Sequence, residues 1–191
     1  MPETALTPYP GQTVGPFFHF GLVYPGSHLL VSADAPGAVT LHGTVTDGHG
    51  DPVPDALVEI WQPGPDGQTV TEQGHIARDG SFSGFGRAAT DVDGHYEFTT
   101  LLPGASAPGK GPFIAVAVYA RGLLDRLFTR IYVPGDTVAT DSFLQSLDAR
   151  ERESLIAVTE ADGSVRFDIA LQGEKQTTFL RFGPEGTAHH G

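Results

Sequence analysis

The sequence contains no cysteine, so a disulfide framework, a zinc–thiolate site and a thiol nucleophile are all excluded. Basic residues are also few, because 11 Lys and Arg stand against 23 Asp and Glu, and the formal net charge is −12. Nucleic-acid binding needs many cations against phosphate, so this charge argues against that class of partner. No apolar run approaches the roughly eighteen residues of a membrane span, and residues 1–12 lack the pattern of a secretion signal. We therefore expect a soluble, cytoplasmic protein.

Glycine and proline are abundant, with 25 Gly and 15 Pro among 191 residues. They follow no short period, so neither a collagen-like helix nor a solenoid is indicated. Short runs of alternating apolar and polar residues lie between these chain-breaking residues, which is typical of many short strands. The sequence predicts an all-β fold: a single-domain β-sandwich over residues 1–191, with long irregular loops, an N-terminal arm over 1–20 and a loose tail over 183–191.

Two strand-like runs lie close together at residues 41–46 and 57–61. Residues 47–55 between them contain three Asp, two Gly and two Pro, so the stretch predicts two antiparallel strands joined by a loop. Trp61, the single tryptophan of the chain, ends the second run. Its large apolar surface makes it a natural core anchor.

The most apolar run, residues 113–119, predicts a buried central strand. Arg121 follows directly after it, and two interpretations stay open. It is a surface residue or an ion-pair partner of an Asp, or its guanidinium recognises an anion such as a carboxylate. Further along, residues 141–153 predict one or two short helical turns, with Asp141 as the N-terminal cap.

Local signatures of catalytic chemistry are missing. Eight histidines are present, but none forms a His-x-His or His-x-x-x-His pattern. The chain also has no Gly-x-Ser-x-Gly nucleophile motif and no phosphate-binding glycine loop. Taken one by one, the residues indicate an acidic all-β domain whose function is open.

An ordered set of motifs resembles the intradiol ring-cleavage dioxygenase family. The matching stretches cover about residues 7–182 and are 12–22, 43–45, 57–62, 85–87, 103–104, 120–122, 129–132, 155–157 and 166–169. The resemblance implies a β-sandwich and a reaction that inserts both atoms of O2 between the hydroxyl-bearing carbons of a catechol. Protocatechuate (3,4-dihydroxybenzoate) is the implied substrate and 3-carboxy-cis,cis-muconate the product. The implied cofactor is a non-haem ferric iron, Fe(III), held by two Tyr and two His.

The sequence departs from this family pattern at the iron. The four ligand positions correspond here to Thr69, Ser106, Phe113 and Ala115. The first Tyr cannot be recovered by a shifted alignment, because no tyrosine lies between positions 24 and 96. The resemblance therefore implies an iron-free alpha-type subunit with no catalytic residue and no metal of its own. Its partner would be a catalytic beta subunit that holds the Fe(III), in an alpha–beta heteromer or a higher oligomer.

The resemblance also implies which residues of this chain meet the substrate. Thr13, Gly15, Pro16 and Phe17 would wall the substrate pocket of the partner, and Arg121 would supply positive potential for the carboxylate of protocatechuate. The family often has Tyr at position 17, so the hydroxyl of that residue is missing here. Two alternatives stay open: a self-sufficient enzyme with rearranged iron ligands, and a non-enzymatic sandwich module for binding or assembly.

Overall fold

The structure is a computed structural model that describes residues 21–70, 81–136 and 138–182, together with the backbone of 188–190. Within these residues the chain forms eleven strands, two short α-helices and one 3-10 turn. The predicted arm over 1–20 lies outside the described residues. The predicted single domain over 1–191 stays a prediction for the same reason.

The strands, numbered in chain order, form two sheets. The first sheet has the order β4–β1–β8–β7, with β9 also paired to β1. Its strands are β1 (Ala38–Thr46), β4 (His95–Leu101), β7 (Val158–Thr159), β8 (Val165–Arg166) and β9 (Ile169–Ala170). The second sheet has the order β11–β10–β6–β5–β2–β3. Its strands are β2 (Leu57–Trp61), β3 (Phe85–Ala89), β5 (Phe113–Tyr119), β6 (Leu127–Tyr132), β10 (Leu180–Phe182) and β11 (Ala188–His190). The predicted all-β fold is confirmed.

The main core lies between the two sheets, where every second residue of the long strands points inward. Leu41 and Phe98 of the first sheet meet Ile60 and Val116 of the second in this core. The predicted central strand 113–119 is confirmed as β5, between β2 and β6. Its inward residues are buried and its outward ones are not.

One tight contact in the core requires a glycine. A Cβ at Gly43 would lie 1.9 Å from the carbonyl oxygen of Phe167. The Tyr96 hydroxyl donates a hydrogen bond of 2.6 Å to that same oxygen. Burial raises the pKa of Tyr96, so its hydroxyl stays protonated well above the ordinary tyrosine range. The chain after β8 therefore packs directly onto the inner face of β1.

The predicted pairing of residues 41–46 with 57–61 is wrong. β1 pairs with β4, β8 and β9, whereas β2 pairs with β3 and β5 in the other sheet. The turn-rich loop 47–56 is long enough to cross from one sheet to the other. Alternation marks strands but does not distinguish a hairpin from such a crossing.

The end of the chain also differs from the prediction. Residues 188–190, expected in a loose tail, pair antiparallel with β10 as strand β11. The physical reason is that β10 lies next to β6 and would otherwise present an open edge of main-chain donors and acceptors.

Residues 27–30, here called the strap, close one side of the sandwich. The Ser27 carbonyl accepts a hydrogen bond from the Arg87 amide of β3 at 2.7 Å. Thr99 of β4 donates its amide to His28 and accepts from the Leu30 amide, at 3.0 and 2.8 Å. The strap therefore joins β3 and β4, the end strands of the two sheets.

A second, smaller core covers one end of the outer face of the second sheet. It is built from the 3-10 turn Val138–Thr140 and the helices α1 (Ser142–Ser146) and α2 (Ala149–Glu153) with the chain that follows. Asp141 caps α1 as predicted, since its Oδ1 accepts from the amides of residues 143 and 144. Among the described residues, no helix is long and apolar enough to cross a membrane.

Candidate functional site

Arg121 lies in the turn after β5, where it meets the loop 47–56. Its Nη2 is 2.7 Å from Oδ2 of Asp55, and its side chain is 67% exposed. The ion pair is the first of the two interpretations that the sequence left open, and anion recognition stays a prediction. The structure brings Arg121 to Asp55, while Thr13, Gly15, Pro16 and Phe17 lie outside the described residues.

The four positions that the resemblance assigns to the family's iron ligands carry no suitable donor set. Thr69 and Ser106 are exposed loop residues, and Phe113 and Ala115 lie on β5. The two loops touch, because a Cβ at Gly67 would lie 2.1 Å from the Ala105 carbonyl oxygen. Phe and Ala have no atom that binds iron, so these residues do not fit the metal. In residues 21–70, 81–136 and 138–182, no group of three or more His, Asp or Glu is placed to hold a metal ion.

A row of outward residues crosses the second sheet at the level of Ala115. In the strand register Phe85 pairs with Trp61, Trp61 with Ala115, and Ala115 with Arg130. These four residues, here called the aromatic row, cross β3, β2, β5 and β6 in that order. Ala115 is exposed and has a small side chain. The surface of the row is therefore lower at Ala115 than at its larger neighbours Trp61 and Arg130.

Trp61 does not lie in the core, so that prediction is wrong. Its side chain is 56% exposed and contacts Phe85 edge-on, with ring centroids 6.5 Å apart. The reason is parity, since Trp61 shares a face of β2 with Glu59, whereas Val58 and Ile60 point into the sandwich. A charged residue two positions earlier was the signal for an outward tryptophan.

Arg130 is held between two aromatic rings. Its guanidinium carbon lies 4.2 Å from the ring centre of Phe113 and 4.8 Å from that of Phe143 on α1. Its Nη1 donates a hydrogen bond of 3.2 Å to the Tyr132 hydroxyl. Burial raises the pKa of Tyr132, and the neighbouring Arg130 opposes that rise. None of the described carboxylates forms an ion pair with Arg130.

The sequence analysis did not single out Arg130. The available signal was its alternation with Phe128 and Tyr132, which places an arginine among aromatics on one face of β6. That pattern is typical of any stacked surface arginine, so only the structure shows that none of the described carboxylates pairs with the clamped cation.

The outer face of the first sheet carries a different kind of surface. Arg166 lies 3.2 Å from Glu160 and 2.9 Å from Asp168. Nε2 of His42 lies 3.2 Å from Glu160, and its ring centre is 5.7 Å from that of His95. Here Arg166 has two acidic neighbours, and His42 has an acidic neighbour and a ring contact, within the face itself.

Residues 26–173 match the protein family described as Dioxygenase. The alpha chain of protocatechuate 3,4-dioxygenase from Burkholderia cepacia is 35% identical, over 93% of this chain and 98% of that relative. The chain belongs to the intradiol dioxygenase family. The matched residues cover most of the sandwich described above, and the match agrees with the family resemblance seen in the sequence.

Other members of the intradiol dioxygenase family are also similar to this chain in sequence or in structure. The beta chain of protocatechuate 3,4-dioxygenase from Burkholderia cepacia is 33% identical, over 75% of this chain and 68% of that relative. Among solved structures, the dioxygenase domain of a dioxygenase–carbohydrate-binding fusion from Streptomyces sp. SirexAA-E has a TM-score of 0.59 and 28% identity. It covers 87% of this chain and 99% of that domain. The family is non-haem iron dependent, and Phe113 and Ala115 of this chain offer no atom that binds iron.

Proposed function

We propose that this chain is the iron-free alpha subunit of a protocatechuate 3,4-dioxygenase. The observation that carries the proposal is the match to an alpha chain over nearly the full length of both proteins. The donor set supports it, because Thr69, Ser106, Phe113 and Ala115 do not form an iron site. The Fe(III) belongs to a partner beta subunit, as the similarity to a beta chain suggests. A cytoplasmic location is part of the proposal, and cell fractionation tests it.

Within this proposal, Arg121 binds the carboxylate of protocatechuate. In the isolated chain it is paired with Asp55, so the substrate has to replace that carboxylate. The exchange costs about 1 kcal/mol or more, because Arg121 is 67% exposed but the Asp55 carboxylate that it leaves is only 18% exposed. We also propose that Thr13, Gly15, Pro16 and Phe17 wall the substrate pocket of the partner subunit. The aromatic ring of Phe17 preserves the wall but supplies no hydroxyl.

Iron content and protocatechuate-dependent oxygen uptake test the proposal directly. Both are measured for the chain alone and for the chain co-expressed with a beta chain from the same source. We expect a colourless, inactive protein alone, and tightly bound iron with oxygen uptake in the complex. Iron and activity in the chain alone would instead identify a self-sufficient enzyme with other ligands. A complex that neither binds iron nor consumes oxygen would support the non-enzymatic module.

Variants of the ion pair test the role of Arg121. Arg121→Ala in the complex should raise KM for protocatechuate roughly tenfold, since a charge-assisted hydrogen bond is lost, and should lower kcat less. Asp55→Asn releases Arg121 and should lower KM or leave it unchanged. Arg166→Ala, on the other sheet, is the matched control and should leave both constants unchanged. A fall in kcat with unchanged KM for Arg121→Ala would contradict substrate binding by this residue.

A further inference from the structure

We propose that the aromatic row is the surface on which the partner subunit docks, and that a carboxylate of the partner pairs with Arg130. The inference rests on the proposed function, because the docking chain is the iron-bearing beta subunit. It goes further in naming the surface, the contact and the chemistry of the partner residue.

The first argument is the exposed apolar area of the row. Trp61 is 56% exposed although it is the largest side chain of the sequence, and Phe85 packs edge-on beside it. Aromatic and arginine side chains are enriched in protein interfaces, whereas most of a free surface is polar or charged. A row of Phe, Trp, Ala and Arg therefore has the composition of an interface core.

The second argument is shape. Ala115 lies at the centre of the row, and Ala117 is the next outward residue of the same strand. Both lie on β5 between the flanking strands β2 and β6. Small outward residues on a central strand leave a shallow channel, into which side chains of another chain can pack closely. The second core covers the end of this sheet face near Tyr132, and the channel begins beside that core.

The positive charge of Arg130 indicates the chemistry of the partner residue that would contact it. Two phenyl rings hold the guanidinium of Arg130 in place, yet among the described residues no carboxylate pairs with it. A preorganised guanidinium without a counter-charge fits a carboxylate, which it binds through two parallel hydrogen bonds. We therefore assign an Asp or Glu of the partner to Arg130.

The single tryptophan allows a direct test of docking at this surface. The chain is labelled with 5-fluorotryptophan, so that Trp61 gives one ¹⁹F resonance, and an unlabelled beta chain is added. We expect the resonance to shift or broaden on binding, and its solvent isotope shift between H2O and D2O to shrink as the indole is buried. Sedimentation of the same samples shows independently whether the complex forms. A complex that forms while the Trp61 resonance stays unchanged would overturn the proposed surface.

Three variants then test the contact itself by the dissociation constant of the complex. Arg130→Gln removes the charge and should weaken binding roughly tenfold or more, because the partner's carboxylate is left unpaired. Arg130→Lys keeps a charge without the planar fork and should restore part of the affinity. Ala115→Leu fills the channel and should weaken binding by a similar factor. Arg166→Gln, an exposed arginine on the opposite face, is the matched control and should bind within twofold of the wild type.

The outcomes separate this inference from the proposed function. An active complex whose affinity is unchanged by Arg130→Gln and Ala115→Leu overturns the docking surface and leaves the function intact. If no beta chain binds, both proposals fail. If Ala115→Leu instead abolishes self-association of the isolated chain, the occupant is a second copy and the proposal is overturned. Far-UV circular dichroism of each variant checks folding, and the ¹⁹F measurement on the wild type needs no variant.

Discussion

The two outer faces of the sandwich differ in how they meet their surroundings. On the first sheet, Arg166 pairs with Glu160 and Asp168, and His42 contacts Glu160 within the face. On the second sheet, Trp61 is exposed and Arg130 is clamped without an acidic partner among the described residues. The charges of the first face are satisfied locally, whereas the second face presents apolar area and a cation that another chain can satisfy. The same fold thus carries one surface suited to water and one suited to a partner.

The largest expected effect concerns the core directly beneath the polar face. Gly43→Ala would place a Cβ 1.9 Å from the Phe167 carbonyl oxygen, which cannot move without disturbing the Tyr96 hydrogen bond. We expect a loss of about 3 kcal/mol or more in the free energy of unfolding. Urea denaturation measures it. Gly135→Ala is the control and should change little, because a Cβ there has no neighbour within 4 Å.

The second prediction compares ion pairs on the two faces. Glu59 pairs with Arg87 on the second sheet at 2.5 Å, with side chains only 15% and 22% exposed. Glu59→Ala leaves a half-buried arginine unpaired and should cost about 2 kcal/mol in thermal or urea unfolding of the isolated chain. A loss of unfolding free energy no larger than that caused by Arg166→Gln would contradict the expected difference between the ion pairs of the two faces.

The third prediction is a pH dependence that comes from the buried side of the first sheet. Burial raises the folded-state pKa of Tyr96, so its stabilising effect is complete below the unfolded value of about 10 and is lost as the pH rises above it. Tyr96→Phe should cost about 1 kcal/mol near neutral pH, because the hydrogen bond to Phe167 is lost. Above about pH 10 its stability should fall less steeply than that of the wild type. Tyr119→Phe, at a half-buried position of the other face, should change that slope less. Equal slopes for the wild type and Tyr96→Phe would contradict the assignment.

The smallest effect is expected on the polar face itself. Arg166→Gln breaks two exposed ion pairs and should cost about 0.5 kcal/mol at low salt. The difference from the wild type should largely vanish near 1 M salt, where charges are screened over about 3 Å. A cost of several kcal/mol that persists in high salt would mean that the polar face is not a set of independent, solvent-exposed pairs.

The sequence predicted the strands more accurately than their partners. Alternation in residues 41–46, the strand-like run 57–61 and the apolar run 113–119 marked β1, β2 and β5, because each strand buries apolar side chains. It could not show that β1 and β2 belong to different sheets, because that depends on the path of the loop 47–56. Period-two patterning also says which residues share a face without saying which face is covered. The outward position of Trp61 could be inferred only from Glu59 beside it.

The candidate site was less accessible to sequence reasoning. Arg121 was identified from its place after the central strand, but its pairing with Asp55 depends on two loops that meet only in the folded chain. The departure at the iron was inferred from the family resemblance, since Phe113 and Ala115, at two of the implied ligand positions, cannot bind a metal. Arg130 was not noticed because its significance depends on its two flanking rings and on the absence of a paired carboxylate among the described residues, which are properties of three-dimensional packing.

The strap over residues 27–30 has a consequence for how this protein avoids aggregation. An end strand with free amides and carbonyls can pair with the strand of another molecule, and a sandwich has such edges on both sheets. Here the main chain of the strap bonds to β3 and β4 together, so these two edges are occupied by one segment. Because backbone atoms make these bonds, most substitutions at the exposed Leu29 should leave this protection intact. The strap thereby disfavours growth of the protein into larger assemblies through these two edges, so that side-chain surfaces matter more for its partners.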